Sequence, residues 1–221
     1  MWDAQFNELF KKFRVIRYNL RGYGLSSMPV EGKDFTHAFD LEKFMDALKI
    51  DKAHLIGLSL GSLTITDFMT LHPERVCSAT LAAGGLSFDL KSNEPVGDLK
   101  AFKEKWKISI RNVSCNNSPF LMSLIDDWRM WQVSHQESPK VFLGTTARIF
   151  FQQNKINVPV LFVVGECDGV GAKDAATALS TLIPASKISY IQNAGHFSCI
   201  ESPETFNREV AKFLVEITCG Y

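Results

Sequence analysis

The stretch HLIGLSLGSL at 54–63 contains Gly57-Leu58-Ser59, a tripeptide that the chain repeats at 24–26 and 85–87. Only the middle copy continues to a glycine two residues on, giving Gly57-Leu58-Ser59-Leu60-Gly61. Ser26 is followed by Ser27-Met28, and Ser87 by Phe88-Asp89. An apolar run of strand length, 53–57, precedes the middle copy. A helical pattern follows it from Leu60 and ends before Pro73. A strand turning straight into a helix presses backbone against backbone, so side chains two residues before and after the apex are expected to collide. Glycine is favoured there, at 57 and 61. Ser59 at the apex is expected to be strained, with its hydroxyl projecting above the sheet. The amide of Leu60, at a helix N-terminus, is placed to donate to a developing oxyanion. Alone, the five-residue pattern is weak; the strand and helix around it give it weight.

Outward from this bend, strands and helices alternate. Phe6, Leu9, Phe10 and Phe13 share one helical face, and RVIRY at 14–18 follows as a short β-branched and aromatic run that stops in NLRGYG. Leu41, Phe44, Met45 and Leu48 repeat the helical spacing. Further strands are expected at 75–84, 158–165 and 187–193. A last helix is expected with Ser202 as cap and Pro203 at its first position, burying Phe206, Val210, Phe213, Leu214 and Ile217. This alternation predicts an α/β fold: a mostly parallel sheet with helices on both faces. Residues 86–157 break the rhythm and contain Trp106, Trp128 and Trp131. They are read as an inserted helical cap, leaving 1–85 and 158–221 as the core.

Open parallel sheets place their chemistry at the carboxyl ends of their strands. The strand at 158–165 runs into GECDG, which supplies Asp168, and the strand at 187–193 runs into NAGHF, which supplies His196. The order serine, acid, histidine fits a nucleophile, its orienting carboxylate and its base. Asp89, after the strand at 75–84, is the alternative acid. His54 lies inside a strand, His72 at a helix end, and His37 and His135 follow no strand, so each reads as a packed or surface residue.

The chain resembles the α/β-hydrolase fold family, in its branch of small lipase-like, esterase-like and lactonase-like enzymes with a helical cap. The resemblance is carried by NLRGYGLSS at 19–27, GLSLGS at 57–62, GECDG at 165–169 and NAGHFSCIESPETF at 193–206, in the family's order. It implies Ser59 as nucleophile, Asp168 as acid and His196 as base. The family usually has Asp where this chain has Asn19, and a second glycine where it has Ser62. Members normally open with two or three strands and a His-Gly loop ahead of the helix found here at the start. The resemblance therefore implies a truncated, start-trimmed α/β-hydrolase fold, without a central strand and without the loop that gives the second oxyanion amide. The expected function is a serine hydrolase cleaving a carboxylic ester, thioester or lactone through an acyl-enzyme. The alternatives are a ligand-binding or signalling protein that keeps the triad, peptidase-type or haloperoxidase-like members, and an inactive remnant. Branches that place Asp at position 59 are disfavoured.

Composition narrows the partners. Lys+Arg and Asp+Glu are equal at 24 each among 221 residues, which gives no electrostatic reason for nucleic acid as partner. The longest apolar run, VPVLFVV at 158–164, has strand length, so no membrane span is expected. Five scattered cysteines (77, 115, 167, 199, 219) without a C-x-x-C pair read as reduced thiols in a reducing compartment, and the chain as cytoplasmic. No metal-ligand cluster is visible, GVGAKD at 169–174 lacks the full phosphate-loop pattern, and no cofactor is expected. The expected partner is a small-molecule acyl substrate. Phe102, Trp106, Phe120, Met122, Trp128, Met130 and Trp131 are its candidate apolar pocket, unless they form the cap's own core.

Overall fold

The computed structural model describes residues 1–30, 33, 35–84, 104, 108–116, 119–121, 123, 156–217 and 219. Among the described residues four strands form one sheet in the order β1-β2-β3-β4: β1 (Ala53–Leu58), β2 (Val76–Ala82), β3 (Val160–Gly165) and β4 (Ser186–Ile191). Every pairing is parallel, with Leu58 opposite Ala82, Ala82 opposite Val163 and Gly165 opposite Ile191. All four carboxyl ends therefore open on one edge of the sheet.

Strand alternation separates two apolar cores. Val160, Phe162 and Val164 of β3 face one way, and Leu161 and Val163 the other. On the first face pack α2 (His37–Ala47), α3 (Leu60–Leu71) and α4 (Val170–Leu182), through Leu41, Met45, Ile65, Phe68 and Leu179. On the second pack α1 (Asp3–Leu9) and, after the short α5 (Ser198–Glu201), α6 (Pro203–Val215), through Leu9, Phe206, Val210, Phe213 and Leu214. Covering both faces explains why β2 and β3 are buried along their whole length. The fold is thus α/β with helices on both faces, as the alternation of elements predicts.

Several expectations change. The run at 14–18 is in no strand among the described residues. Val15 instead packs, half-buried, against the second core. A β-branched run becomes a strand only when a neighbour pairs with it, and β1 lies at the end of the sheet order. The first helix spans 3–9 and buries Gln5 and Leu9, while Phe10 is exposed and stacks on Phe6. Its anchor is polar: Gln5 Nε2 donates to Cys199 O and to Asn207 Oδ1, both at 2.9 Å. Ser202 stands at the N-cap of α6 with Pro203 after it, but its side chain makes no capping bond, and Ile217 lies beyond the helix end.

The cysteines are paired. Cys77 is bonded to Cys219 and Cys115 to Cys167, and only Cys199 is free. The pairs are 142 and 52 residues apart in sequence, so spacing rules that look for close cysteines cannot find them. The expectation of reduced thiols is corrected, and the argument it gave for a reducing compartment falls with it. Burial pushes the Cys199 thiol up to about 12.

Of the expected cap, most residues, including Trp106, Trp128, Trp131, Phe102, Met122 and Met130, lie outside the described residues. Residues 108–113 are helical, Ile110 and Leu121 are buried, and Phe120 is exposed.

Candidate active site

The bend after β1 forms where the sequence places it. Ser59 adopts φ 52° and ψ −110°, in the left-handed half of backbone space that a side chain disfavours. Its amide donates to Ala82 O at 2.9 Å, so the apex is pinned to the end of β2. Ser59 is the N-cap of α3 and Leu60 its first residue, which puts the Leu60 amide among the unpaired donors of the first turn. Ser59 itself is half-buried.

The two glycines of the bend are not equivalent. A Cβ on Gly57 would stand against the backbone of Gly61 and 2.8 Å from Ile65 Cδ1, whereas one on Gly61 would meet nothing within 4 Å. The expected collision is therefore one-sided: strand position 57 must be bare, and helix position 61 has room. Ser62 is fully buried and shares its hydroxyl proton between Gly57 O (2.9 Å) and Ala82 O (2.8 Å), tying α3 to the ends of β1 and β2. The sequence showed Ser62 only as a departure from the family's glycine, and its role is visible only once β2 is placed beside β1.

Asp168 follows β3 and His196 follows β4, on neighbouring strands. His196 Nδ1 lies 3.2 Å from Asp168 Oδ1 and 3.3 Å from Oδ2. The Asp168 side chain is almost wholly buried, and its Oδ1 also accepts the Gly169 amide at 2.7 Å. The loop carrying Asp168 is held through its backbone amides, Glu166 N donating to Ile191 O and Cys167 N to Ala194 O, both at 2.9 Å. A proton on Nδ1 would be directed to the carboxylate and would leave Nε2 as the imidazole's acceptor nitrogen. Ser59, Asp168 and His196 all lie at the carboxyl edge of the sheet, though no hydrogen bond among the described residues joins Ser59 Oγ to His196. Asp89 lies outside the described residues.

The other described histidines are structural. His54 Nδ1 pairs with Ser78 Oγ at 2.8 Å, its ring meets Phe13 edge-on, and burial lowers its pKa. His37 is buried at the start of α2, and His72 ends α3. Arg21 makes a two-pronged ion pair with Asp40, 2.7 Å from Nε to Oδ2 and 2.5 Å from Nη2 to Oδ1. The carboxylate partner of Arg21 thus comes from α2 rather than from position 19. One potential metal-ligand group does arise from folding, in contrast to the sequence reading: His54, Cys77 and Cys219 bring their ligand atoms within 4.8 Å of one another. The two sulfurs there are bonded to each other.

These features fall within a known family. The sequence profile of the alpha/beta hydrolase fold matches residues 1–119, and the chain belongs to this family. A carboxylesterase of Bacillus subtilis, YbfK, is 29% identical over 230 residues, covering 100% of this chain and 76% of the relative. The crystal structure of that carboxylesterase superposes with a TM-score of 0.74 at 27% identity, covering 96% of this chain and 78% of the other. A meta-cleavage product hydrolase, CumD, crystallised as a point variant, superposes with a TM-score of 0.77 at 20% identity, covering 97% and 84%, a likeness of fold. The family is one of hydrolases, with carboxylesterases among the relatives. No helix among the described residues is long and apolar enough to cross a membrane.

Proposed function

We propose that this chain is a serine hydrolase of carboxylic esters, thioesters or lactones that works through an acyl-enzyme. The observation that carries the reading is the buried Asp168 carboxylate 3.2 Å from His196 Nδ1, on the same sheet edge as the strained Ser59. A buried carboxylate facing Nδ1 fixes the imidazole tautomer and stabilises the imidazolium that forms when Nε2 takes a proton.

In the proposed reaction His196 removes the Ser59 proton as Oγ attacks the acyl carbonyl. The Leu60 amide, at the positive end of α3, donates to the tetrahedral oxyanion. The alcohol or thiol leaves with the proton from His196, and water activated by the same imidazole releases the acid. Similarity to a carboxylesterase supports a carboxylic ester as the first substrate class to test. We assign the apolar acyl pocket to the inserted segment 86–157 with its Trp106, Trp128 and Trp131.

A fluorophosphonate probe tests the reading, since it reacts with an activated serine whatever the natural substrate. Wild type should be labelled on Ser59, and Ser59→Ala and His196→Ala should not. Absence of labelling in folded wild type refutes the hydrolase reading and favours a binding protein. Slow labelling without turnover of any ester in a panel favours a receptor that keeps the triad.

A further inference from the structure

Residues 113–116 run directly against the two loops that carry Asp168 and His196. The His196 amide donates to Val113 O at 2.7 Å. A Cβ on Gly195 would strike the Val113 carbonyl and stand 2.7 Å from Ser114 Cα, so the glycine before His196 is the residue that lets the two backbones touch. The Cys115 and Asn116 amides both donate to Glu201 Oε2, at 2.7 and 3.1 Å, and Glu201 Oε1 accepts the Phe197 amide at 3.3 Å. Asn116 Nδ2 donates to Asn193 O at 3.0 Å. The remaining link is covalent. Cys115 is bonded to Cys167, the residue before Asp168. A tether that merely anchored this segment to the core could land anywhere. These contacts fall at 167, 193, 195, 196 and 201, beside the acid and on both sides of the base.

We propose that residues 113–116 are a strap that positions His196 against Asp168, with the Cys115–Cys167 disulfide as a buckle that thiols can open. The kinetic consequence rests on the serine-hydrolase reading; the positional one does not. Val113, Cys115, Cys167 and Glu201 act here as positioning residues. Opening the buckle needs a dithiol. One of its thiolates attacks the sulfur of Cys167, an exposed residue, and displaces Cys115 as a thiolate that takes up a proton. The dithiol's second thiol then attacks the mixed disulfide, frees Cys167 as a thiol and leaves as a cyclic disulfide. Two electrons pass from the dithiol to the protein. The acid loop then loses its covalent tie to the strap, while the base loop keeps only hydrogen bonds.

The test compares oxidised and dithiothreitol-reduced protein for wild type and for the double variants Cys115→Ala/Cys167→Ala and Cys77→Ala/Cys219→Ala. Histidine-ring nitrogen NMR reports the His196 imidazole independently of turnover, with His196→Gln assigning its signals. Ester hydrolysis supplies kcat and KM. Reduction of wild type should shift or broaden the His196 ring signals and lower kcat about tenfold, with KM changed less than about twofold. The Cys115/Cys167 variant should show the lowered kcat in both states, and the Cys77/Cys219 variant should still respond to reduction. Loss of ring order in a protein that turns over no ester, thioester or lactone in either state would support the strap while refuting the hydrolase reading. Unchanged ring signals and kcat, with alkylation proving Cys115 and Cys167 free, would overturn the proposal.

Discussion

At the scale of one residue, the bend concentrates its cost on Ser59 and Gly57. A serine at φ 52° and ψ −110° carries strain of about 1–3 kcal/mol that the surrounding fold must hold in place. Removing the side chain removes the strain, so Ser59→Gly should be more stable than Ser59→Ala by about 1 kcal/mol. Urea unfolding of the two variants measures this, and equal midpoints would show that the apex is unstrained. The glycines give a sharper contrast. Gly57→Ala drives a methyl into the Gly61 backbone and Ile65, and should cost about 3 kcal/mol or more. Gly61→Ala meets open space in the first turn of α3, and should stay within about 1 kcal/mol of wild type, on the stabilising side. If the two variants unfold alike, the one-sided account of the bend is wrong.

At the scale of the element, α3 is aimed by its attachment to two strand ends. Ser62→Ala removes a buried side-chain donor shared by Gly57 O and Ala82 O, the second of which keeps the Ser59 amide. It should cost about 1–2 kcal/mol in chemical denaturation and slow fluorophosphonate labelling, because the Leu60 amide is carried on the same turn. A variant with wild-type stability and labelling rate would mean that the hydroxyl is incidental. Legibility divides along the same line. The elements α2, α3 and α6 could be read because their apolar spacing is local and most of the predicted face is buried, as Leu41 and Met45 are in α2, whereas Leu48 falls past the helix end and is exposed. Asp168 and His196 could be nominated because each stands just beyond a strand end marked by glycine. The run at 14–18 was misread because strand propensity says nothing about whether a partner strand is there to pair with it. The apolar face read for the first helix is right in part: Leu9 is buried and Phe13 packs on the second core, but Phe10 is exposed, and Gln5 anchors the helix through polar contacts with Cys199 and Asn207, near the other end of the chain. The strap was invisible for the same reason: Val113 meets His196 only after folding.

At the scale of the whole molecule, the Cys77–Cys219 bond fastens the segment after α6 to β2, in the middle of the sheet order. It closes a sequence separation of 142 residues, a span over which loss of a cross-link costs about 2–5 kcal/mol through the freedom regained by the unfolded chain. Cys77→Ala/Cys219→Ala should therefore lower stability by that amount. It should leave the labelling rate of Ser59 unchanged below the unfolding temperature, because Cys77 stands at the amino end of β2, away from the carboxyl edge that carries Ser59, Asp168 and His196. The contrast with Cys115–Cys167 gives the two bonds different duties: one holds the fold together, the other holds the site in register. The pairing is checked by counting thiols. Denatured without reductant, the chain should take up one alkyl group, on Cys199, and after reduction it should take up five. In the native oxidised protein Cys199 should resist alkylation near neutral pH, since it is buried and its thiol pKa is raised to about 12, leaving almost no thiolate to react. Five reactive thiols in the unreduced, denatured chain would return the cysteines to the reduced state read from their spacing, and the strap would then be held by hydrogen bonds alone.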